Sequence, residues 1–405
     1  MKEVCIVNYG SNAAIYGIGT YIKEYIYCLQ KMDCKINLIE LGTDTKNIDF
    51  YIKEENGVRK IHIPYIQGAI TDKYNKSVCR LLRLYIEDSG NLIFHFQYTQ
   101  SDSLMESIKR YFPLSKSVFT IHYLAWSQFL NGNISLFEKI ILKQKNEKIQ
   151  KKYKPVIDNY SKEKSFMGKV DQIVCLSEDT VHLVQNQYEI KQKLWLIPNG
   201  LRKQYRKLSE KQKQNTREKF CIKPEEKVLL FVGRINPIKG LIPLLSCFEH
   251  IVLNYPDCRF VLIGDGNINE AIKKYKNIWA KVIYTGRLDK KTVNQWYQIA
   301  DIALFPSYYE ECSYVGIEMM MHGLPVVASD GYSVKNMFHD GLNAKIAKIG
   351  NRKRTKEFEN NLAIAILELL NSDLSDLKKG AKKIYKTTYS IESMKNGYIK
   401  LLDSL

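Results

Sequence analysis

The stretch FPSYYEECSYVGIEMMMHGLPVVAS, residues 305–329, leads from one apolar run to another through a polar loop and a helix-length segment. The apolar runs DIALF and PVVAS at its two ends are short and bounded by turn residues, which is typical of buried strands. Two such strands with a helix between them predict a parallel βαβ unit. Pro306 and Ser307 would then lie at the carboxyl edge of a sheet, where open α/β sheets bind ligands.

Similar runs recur along the chain and are separated by helix-length segments. The first series is VCIVNY, CKINLIEL, VRKIHIP, NLIFHFQ, SVFTIHY and QIVCLSE, and the second is KVLLFVG, RFVLIGDG, AKVIYTG, ADIALFPS and LPVVAS. Two series of this kind predict an α/β protein with two successive doubly wound, Rossmann-like halves. The turn at Pro198-Asn199-Gly200 and the charge-dense stretch after it place the joint.

We therefore predict an N-terminal domain over residues 1–198, a second domain over 199–385 and a final amphipathic helix within 386–405. The apolar residues of the last segment follow helical spacing. They are Ile391, Met394, Tyr398, Leu401 and Leu402.

Composition limits the class of protein and its location. The 405 residues exceed the usual size of a single hydrophobic core. The net charge of +18 indicates a Lys-rich solvated surface or a basic patch for nucleic acid, an anionic membrane face or a phosphorylated ligand. The nine scattered cysteines predict reduced thiols, no structural metal and a cytoplasmic location. No apolar run approaches the roughly 18 residues of a membrane span.

The segment from Ile134 to Tyr160 combines an apolar stripe at helical spacing with many lysines. The lysines are Lys139, Lys143, Lys145, Lys148, Lys151, Lys152 and Lys154. An amphipathic helix of this kind lies either on an anionic membrane surface or on the core of its own protein, with the lysines in water. The sequence leaves both interpretations open, so peripheral membrane contact is a hypothesis.

Charged residues at predicted strand ends are candidates for ligand binding. Arg234 and Lys239 in FVGRINPIKG follow the first strand of the second series, where a helix start also favours an anion such as a diphosphate. Glu310 and Glu318 flank the start of a predicted helix, and a carboxylate offers two acceptor oxygens to a sugar diol. The alternatives are surface cations on a capping loop and acids that favour the positive end of a helix dipole.

Two histidines end strands of the first series. We interpret His95, in IFHFQ, as structural, because a lone histidine in an apolar setting usually has a backbone partner. We interpret His122 as functional, because an aromatic-rich loop containing Gly and Asn follows it. Tyr123 and Trp126 in that loop either stack on a sugar or acceptor or pack in the core.

Several of these motifs together resemble, in order and spacing, the C-terminal domain of retaining glycosyltransferase family 4. They are LIPNG, FVGRINPIKG, FVLIGDG, VIYTGRL and IADIALFPSYYEECSYVGIEMMMHGLPVVAS, which span about residues 195–345. In the first half, GIGTYIKEYIYCL, HFQY, TIHY and VDQIVCLS fall where the family has its glycine loop, two histidine-bearing strand ends and a domain-closing strand. The resemblance implies a GT-B fold, with an interdomain cleft and a C-terminal crossover helix that braces the N-terminal domain.

The resemblance also implies roles for single residues. Arg234 and Lys239 match the basic pair on the donor diphosphate, and Glu310 and Glu318 match the glutamates on donor sugar and ribose. Gly17 matches the loop glycine that approaches the phosphates, and His122 resembles the histidine near the transferred sugar. Further positions expected in donor binding are Gly233, Arg287, Leu288, Ser313 and Tyr314. Tyr16 departs from the family, which commonly has a second glycine there, and many members have glycine at the position of Ser313.

The implied activity is retaining, metal-independent transfer of a sugar from a nucleoside-diphosphate sugar, most simply a UDP-sugar, to an acceptor hydroxyl. The implied partners are that donor and a glycan, lipid-linked or peptide acceptor, without metal, cofactor or nucleic acid. Two other classes stay open. An NAD-type oxidoreductase is favoured by the Gly-rich YGIGTY and IGDG, neither of which completes the dinucleotide fingerprint. A nucleic-acid-binding protein is favoured by charge alone.

Overall fold

The computed structural model shows two compact units, each built of α and β elements. The first unit comprises Met1–Leu130, Ile134–Gly200 and Ile391–Leu405, and the second comprises Asn131–Asn133 and Leu201–Ser390. The residues that the structure describes are 1–9, 17–43, 50–64, 66, 71–352 and 354–405.

The sheet of the first unit has eight strands among the described residues. The strands are β1 (Glu3–Tyr9), β2 (Lys35–Thr43), β3 (Tyr51–Glu55), β4 (Val58–Pro64), β5 (Leu92–Phe96), β6 (Lys116–Ile121), β7 (Gln172–Cys175) and β8 (Lys193–Leu196). Their order is β3-β4-β2-β1-β5-β6-β7-β8. All neighbours are parallel except β3, which runs antiparallel to β4 at the edge.

Helices connect the parallel strands of this first sheet. They are α1 (Gly17–Gln30), α2 (Thr71–Arg83), α3 (Asp102–Tyr111), α4 (Trp126–Phe129), α5 (Ile134–Leu142), α6 (Glu147–Lys169) and α7 (Glu178–Asn186). Ser101 and Ser177 begin α3 and α7 as N-caps, because their hydroxyls accept hydrogen bonds from amides of the first helical turn.

The second unit contains a parallel sheet of six strands within its described part. The strands are β9 (Lys227–Val232), β10 (Cys258–Ile263), β11 (Val282–Gly286), β12 (Ile302–Phe305), β13 (Val326–Ser329) and β14 (Ala344–Ala347), in the order β11-β10-β9-β12-β13-β14. The helices are α8 (Glu210–Lys219), α9 (Leu241–Asn254), α10 (Asn269–Lys274), α11 (Lys290–Ile299), α12 (Tyr314–His322), α13 (Val334–Met337), α14 (Thr355–Leu370) and α15 (Ser375–Thr387).

The inner strands of the second sheet form the centre of its core. Leu229 of β9 and Phe260 of β10 are fully buried, and Leu304 of β12 is nearly so. Their neighbouring residues on the other face are buried as well, since helices cover both faces of a parallel sheet. The predicted α/β, doubly wound architecture is therefore confirmed in both halves.

Strands β3 and β14 have no predicted counterpart. The sequence of β3, YIKEE, is mostly charged and exposed, as is common for a strand at the edge of a sheet. It therefore lacks the apolar pattern by which other strands are predicted. The sequence of β14, AKIA, is too short for a strand pattern to stand out.

The segment 134–160 forms two helices, α5 and α6, where the sequence pattern predicts one amphipathic stretch. Asn146 separates them as the N-cap of α6, with its side-chain oxygen accepting from Lys148 N and Ile149 N. Backbone angles depart from helical values at Tyr153, two residues before Pro155, because proline lacks an amide donor and crowds the preceding turn. Phe137 and Tyr160 are buried, and the seven lysines are exposed, so the apolar stripe packs on the unit itself.

The last helix, α16 (Ile391–Asp403), belongs to the first unit. The hydroxyl of its fully buried Tyr398 forms a short hydrogen bond with that of Tyr21 on α1, and the Tyr398 ring packs on Tyr25. The predicted apolar residues Met394, Tyr398, Leu401 and Leu402 are all buried, whereas Ile391 is only partly so.

Candidate active site

The site in the second unit is formed where β9 and β12 end side by side. Because these strands pair in parallel, the loops after them leave the same edge of the sheet. Tyr308 N donates to Ile238 O at 2.8 Å, which ties the two loops together. Gly240 is required at this contact, since it has a φ of +70° and a Cβ atom would lie 2.1 Å from Pro306 O.

Lys239 and Glu310 meet directly at this edge. Lys239 ends a 3₁₀ turn (Pro237–Lys239), and its Nζ lies 2.5 Å from Oε1 of Glu310. Both side chains are largely shielded from water, and the backbone of Glu310 is held because its amide donates to Tyr332 O. The sequence predicts one residue on a diphosphate and the other on a sugar, and the structure places their charged atoms in contact.

Arg234 follows Gly233 at the end of β9, and its side chain is exposed. Gly233 has a φ of +153°, and its amide donates to Ile263 O. On the other side of Arg234, the amide of Ile235 donates to Asp265 O. The loop that carries Arg234 is therefore fixed to the end of β10 on both sides of the arginine.

Glu318 lies one turn into α12, with a partly buried carboxylate. Its Oε2 accepts a hydrogen bond of 3.0 Å from Tyr297 OH, and its Oε1 lies 3.4 Å from Lys290 Nζ. Burial raises the pKa of Glu318 above the ordinary glutamate value, against the opposing effect of Lys290. The two partners come from α11, and both were missed by sequence reasoning because neither belongs to a motif.

The remaining predicted donor residues of this unit surround the same edge. Ser313 is the residue before α12 and has extended backbone angles, and Tyr314 begins the helix and is buried. Arg287 and Leu288 follow β11, with the arginine exposed and the leucine partly buried. Gly286 O accepts from Gly264 N, which joins the loops after β11 and β10.

His122 follows β6 in the first unit and lines a cavity there. Its Nε2 lies 2.8 Å from Gln97 Oε1, and its ring packs edge-on against Tyr21 at 4.5 Å. Burial lowers the pKa of His122 to about 3, so the ring is neutral at pH 7. Because Gln97 Nε2 donates to His95 O, Oε1 is the acceptor, and His122 carries its proton on Nε2. Its Nδ1 is then a hydrogen-bond acceptor.

The other predicted residues of the first unit have distinct environments. His95 is fully buried, with Nδ1 2.8 Å from Tyr25 OH and Nε2 2.7 Å from Thr120 Oγ1, as a structural histidine requires. Trp126 packs in the core against Phe137, whereas Tyr123 is exposed. Gly17 begins α1 and is exposed, with open space where a side chain would lie. Tyr16 lies outside the described residues.

Two features bear on metals and membranes. Across the residues that the structure describes, no three His, Cys, Asp or Glu side chains are grouped as they would be to hold a metal ion. Among the described helices, none combines the length and apolar character that a bilayer crossing requires.

Residues 212–383 match the protein family described as glycosyl transferases group 1. A segment of 158 residues is 30% identical to the lipopolysaccharide 1,2-N-acetylglucosaminetransferase of Salmonella typhimurium and covers 36% of this chain and 41% of that protein. A segment of 185 residues is 27% identical to the alpha-monoglucosyldiacylglycerol synthase of Streptococcus pneumoniae and covers 44% of this chain and 42% of that protein. The chain therefore spans less than half the length of these relatives.

The fold is similar over the whole chain to a solved structure, that of Anabaena HepE in complex with UDP and glucose. The TM-score is 0.69, with 13% identity and 100% of both chains covered. At this identity the similarity concerns the fold alone. Two parts of the resemblance seen in the motifs are thus confirmed: this chain has the GT-B fold, and its residues 212–383 carry the sequence pattern of the group 1 glycosyl transferases, whereas membership of family 4 stays a prediction.

Proposed function

We propose that the chain is a retaining, metal-independent glycosyltransferase that transfers a sugar from a UDP-sugar to an acceptor hydroxyl. The observation that carries the proposal is the contact of Lys239 with Glu310 at the carboxyl edge of the second sheet, within the segment that matches the family. A cation and an anion held together there suit a ligand that has both a diphosphate and sugar hydroxyls. UDP is favoured because the similar HepE structure contains it.

In the proposed reaction, the acceptor hydroxyl forms a bond to the anomeric carbon of the donor while the bond from that carbon to the diphosphate oxygen breaks. The acceptor approaches on the face that the leaving group departs from, and the hydroxyl proton passes to a diphosphate oxygen. Negative charge grows on the diphosphate, so Arg234 and Lys239 stabilise the transition state more than the ground state. Their positive charge meets the need that a metal ion meets in other transferases.

The other residues bind the donor in this proposal. Glu310 accepts hydrogen bonds from hydroxyls of the transferred sugar, and Glu318 accepts them from the ribose. Nδ1 of His122 accepts a hydrogen bond from a sugar hydroxyl, which the neutral state of the ring allows. Backbone groups at Gly17, Gly233, Ser313 and Tyr314 approach the phosphates, and those of Arg287 and Leu288 hold the base. Most of these donor-binding residues belong to the second unit, whereas Gly17 and His122 belong to the first, which in this proposal also binds the acceptor.

Substitution of Arg234 tests the activity. We expect Arg234→Ala to lower kcat for sugar transfer from UDP-glucose or UDP-N-acetylglucosamine about 10²-fold, as loss of a preorganised charge does in other enzymes. Lys211→Ala, which removes an exposed cation of α8, serves as the control and should retain full turnover. Near wild-type turnover of Arg234→Ala would contradict the assignment.

The donor base is tested by ligand-dependent stability. A ligand that binds only the folded chain raises its midpoint of thermal unfolding. We expect UDP to raise it more than GDP or ADP at equal concentration. A larger rise in the midpoint with GDP or ADP would mean that the donor carries guanine or adenine instead of uracil. A rise with NAD alone would favour the oxidoreductase class.

A membrane contact is a second proposal, for the surface around α5 and α6. Leu142, at the end of α5, is 84% exposed and lies in sequence among the exposed lysines. An apolar side chain among cations suits the anionic inner face of a membrane, and with the nine free thiols it fits a cytoplasmic protein. We expect the chain to float with phosphatidylglycerol liposomes and the variant Lys151→Glu/Lys152→Glu to float less. Absence of flotation by the wild type would refute the contact.

A further inference from the structure

The first unit has a cavity of about 800 Å³ at the carboxyl edge of its sheet. The last residue of β1, residues that follow β5 and β6, and residues of α6 are among those that line it. His122 is among them, so the one histidine that we assign to the reaction faces this space. Cavities of this size at such an edge commonly hold a small ligand.

Three tyrosines form a row in this cavity, and we call them the tyrosine row: Tyr9, Tyr98 and Tyr123. The rings of Tyr9 and Tyr98 meet edge to face at 6.0 Å, and those of Tyr98 and Tyr123 do so at 6.5 Å. Tyr9 is 37% exposed and Tyr123 is 44% exposed. Large aromatic rings left accessible inside a cavity are typical of a ligand surface.

Polar groups fix this row and complete the lining. Tyr9 OH donates to Gln100 Oε1 at 2.9 Å, and Gln100 Nε2 donates to Tyr98 O at 2.9 Å. Asn159 and Ser161 contribute amide and hydroxyl groups from α6. Of the described residues that line the cavity, Phe119 and Ala125 are the only ones with wholly apolar side chains.

The charge of the lining differs from that of the chain as a whole. Apart from the neutral His122, its acidic and basic side chains are Asp102, Lys162 and Glu163, so the +18 of the chain does not extend to this cavity. Asp102 is engaged by Lys169 at 2.8 Å, and Glu163 is buried and accepts from Ala125 N and Tyr188 OH. A lining with two carboxyls and one amine gives no preference for an anionic ligand.

We propose that the tyrosine row binds a neutral pyranose ring of a glycan acceptor. The C–H face of the sugar packs on the tyrosine rings, and its hydroxyls exchange hydrogen bonds with the amides and hydroxyls around them. A lipid acyl chain would cover the amides and hydroxyls of the lining without offering them hydrogen bonds, and an acidic saccharide finds too little positive charge. This inference rests on the proposed function, because it names the acceptor of that reaction.

Saturation-transfer NMR on the full chain tests the inference with methyl glycosides of glucose, galactose and N-acetylglucosamine as probes. We expect at least one to bind the wild type, and Tyr98→Ala and Tyr123→Ala to weaken that binding roughly tenfold, as loss of an aromatic contact does. Tyr98→Phe keeps the ring and should keep the affinity. Tyr85→Ala, a 43% exposed tyrosine away from the cavity lining, is the matched control and should bind as the wild type does.

Three results would overturn the inference. They are equal binding to the wild type and the two alanine variants, tighter binding of methyl glucuronide than of every neutral glycoside, and transfer to diacylglycerol in vesicles without binding of any neutral glycoside. The UDP-dependent rise in unfolding midpoint is measured on the same samples. If UDP-sugars stabilise the chain but neutral glycosides do not bind, only this inference fails. Glycoside binding without nucleotide binding would contradict the proposed function and the role of the sugar as its acceptor, and would leave the tyrosine row as a sugar-binding site.

Discussion

The two units carry different chemistry at the carboxyl edges of their sheets. The second unit presents charged side chains, with Lys239 on Glu310 and Lys290 on Glu318. The first presents tyrosines, amides and a neutral histidine around its cavity. The difference follows the two substrates that we propose, because a nucleotide diphosphate is recognised by charge, whereas a neutral sugar is recognised by rings and hydrogen bonds.

The strongest way to break this comparison is to remove a charge from the second unit. We expect Lys239→Ala to lower kcat about 10²-fold, because the variant loses a cation from the diphosphate and leaves the Glu310 carboxylate without its partner. Lys239→Arg should restore much of the rate, and Lys291→Ala, on an exposed position of α11, should lose none. Wild-type turnover of Lys239→Ala would show that Lys239 does not stabilise the diphosphate in the reaction.

The sequence predicts the charged site better than the neutral one, for physical reasons. Arg234, Lys239 and Glu310 follow continuous apolar runs, which identify β9 and β12, so their place at the sheet edge follows from the pattern alone. Lys239 and Glu310 are 71 residues apart in the chain and touch because β9 pairs with β12, a pairing that periodicity does not predict.

The tyrosine row has no such pattern. Tyr9 is the last residue of β1, and Tyr98 and Tyr123 lie two residues after β5 and β6, respectively, so each by itself is an ordinary aromatic residue at a strand end. Their common role is visible only when the sheet brings the strand ends together. Glu163 is hidden for another reason, since it is one acid within a lysine-rich helix and only the fold shows that it is buried.

The pH dependence of stability tests whether the buried Glu163, His95 and His122 of the first unit are uncharged in the folded chain. Burial raises the pKa of Glu163 to about 7 and lowers the pKa of His95 and His122 to about 3. As pH rises from 4.5 to 7, the unfolded chain ionises Glu163 while the folded chain keeps it protonated, so this group makes folding less favourable. The histidines act in the opposite direction, because the unfolded chain protonates them as pH falls below 6.5.

Glu163→Gln separates these two contributions. The stability of this variant relative to the wild type should rise by about 1.4 kcal/mol per pH unit between pH 4.5 and 7 and then level off. Denaturant unfolding followed over this pH range measures it, with the exposed Glu138→Gln as control. A difference between variant and wild type that does not change with pH would mean that Glu163 is ionised in the folded chain.

A smaller effect is expected from Tyr297, which positions Glu318 through its hydroxyl. Tyr297→Phe should raise KM for the UDP-sugar roughly fivefold and leave kcat nearly unchanged, because the lost hydrogen bond orients a binding group rather than a reacting one. The variant and the wild type should bind 2′,3′-dideoxy-UDP equally, since that nucleotide has no diol for Glu318. Equal losses for UDP and the dideoxy nucleotide would assign Tyr297 to the stability of α12 instead.

Ionic strength gives the mildest test and addresses both units at once. Salt screens the attraction between a charged ligand and charged side chains, whereas it does not screen ring contacts or hydrogen bonds between neutral groups. Raising NaCl from about 0.05 M to about 0.5 M should therefore weaken UDP binding a few-fold. The affinity of the first unit for a methyl glycoside should stay constant in the same solutions, because the ligand is neutral and Tyr98 and Tyr123 act through their rings. If salt weakened the binding of UDP and of the methyl glycoside equally, the carboxyl edges of the two sheets would not differ chemically in the way proposed. The cavity of the first unit would then recognise its ligand through charge.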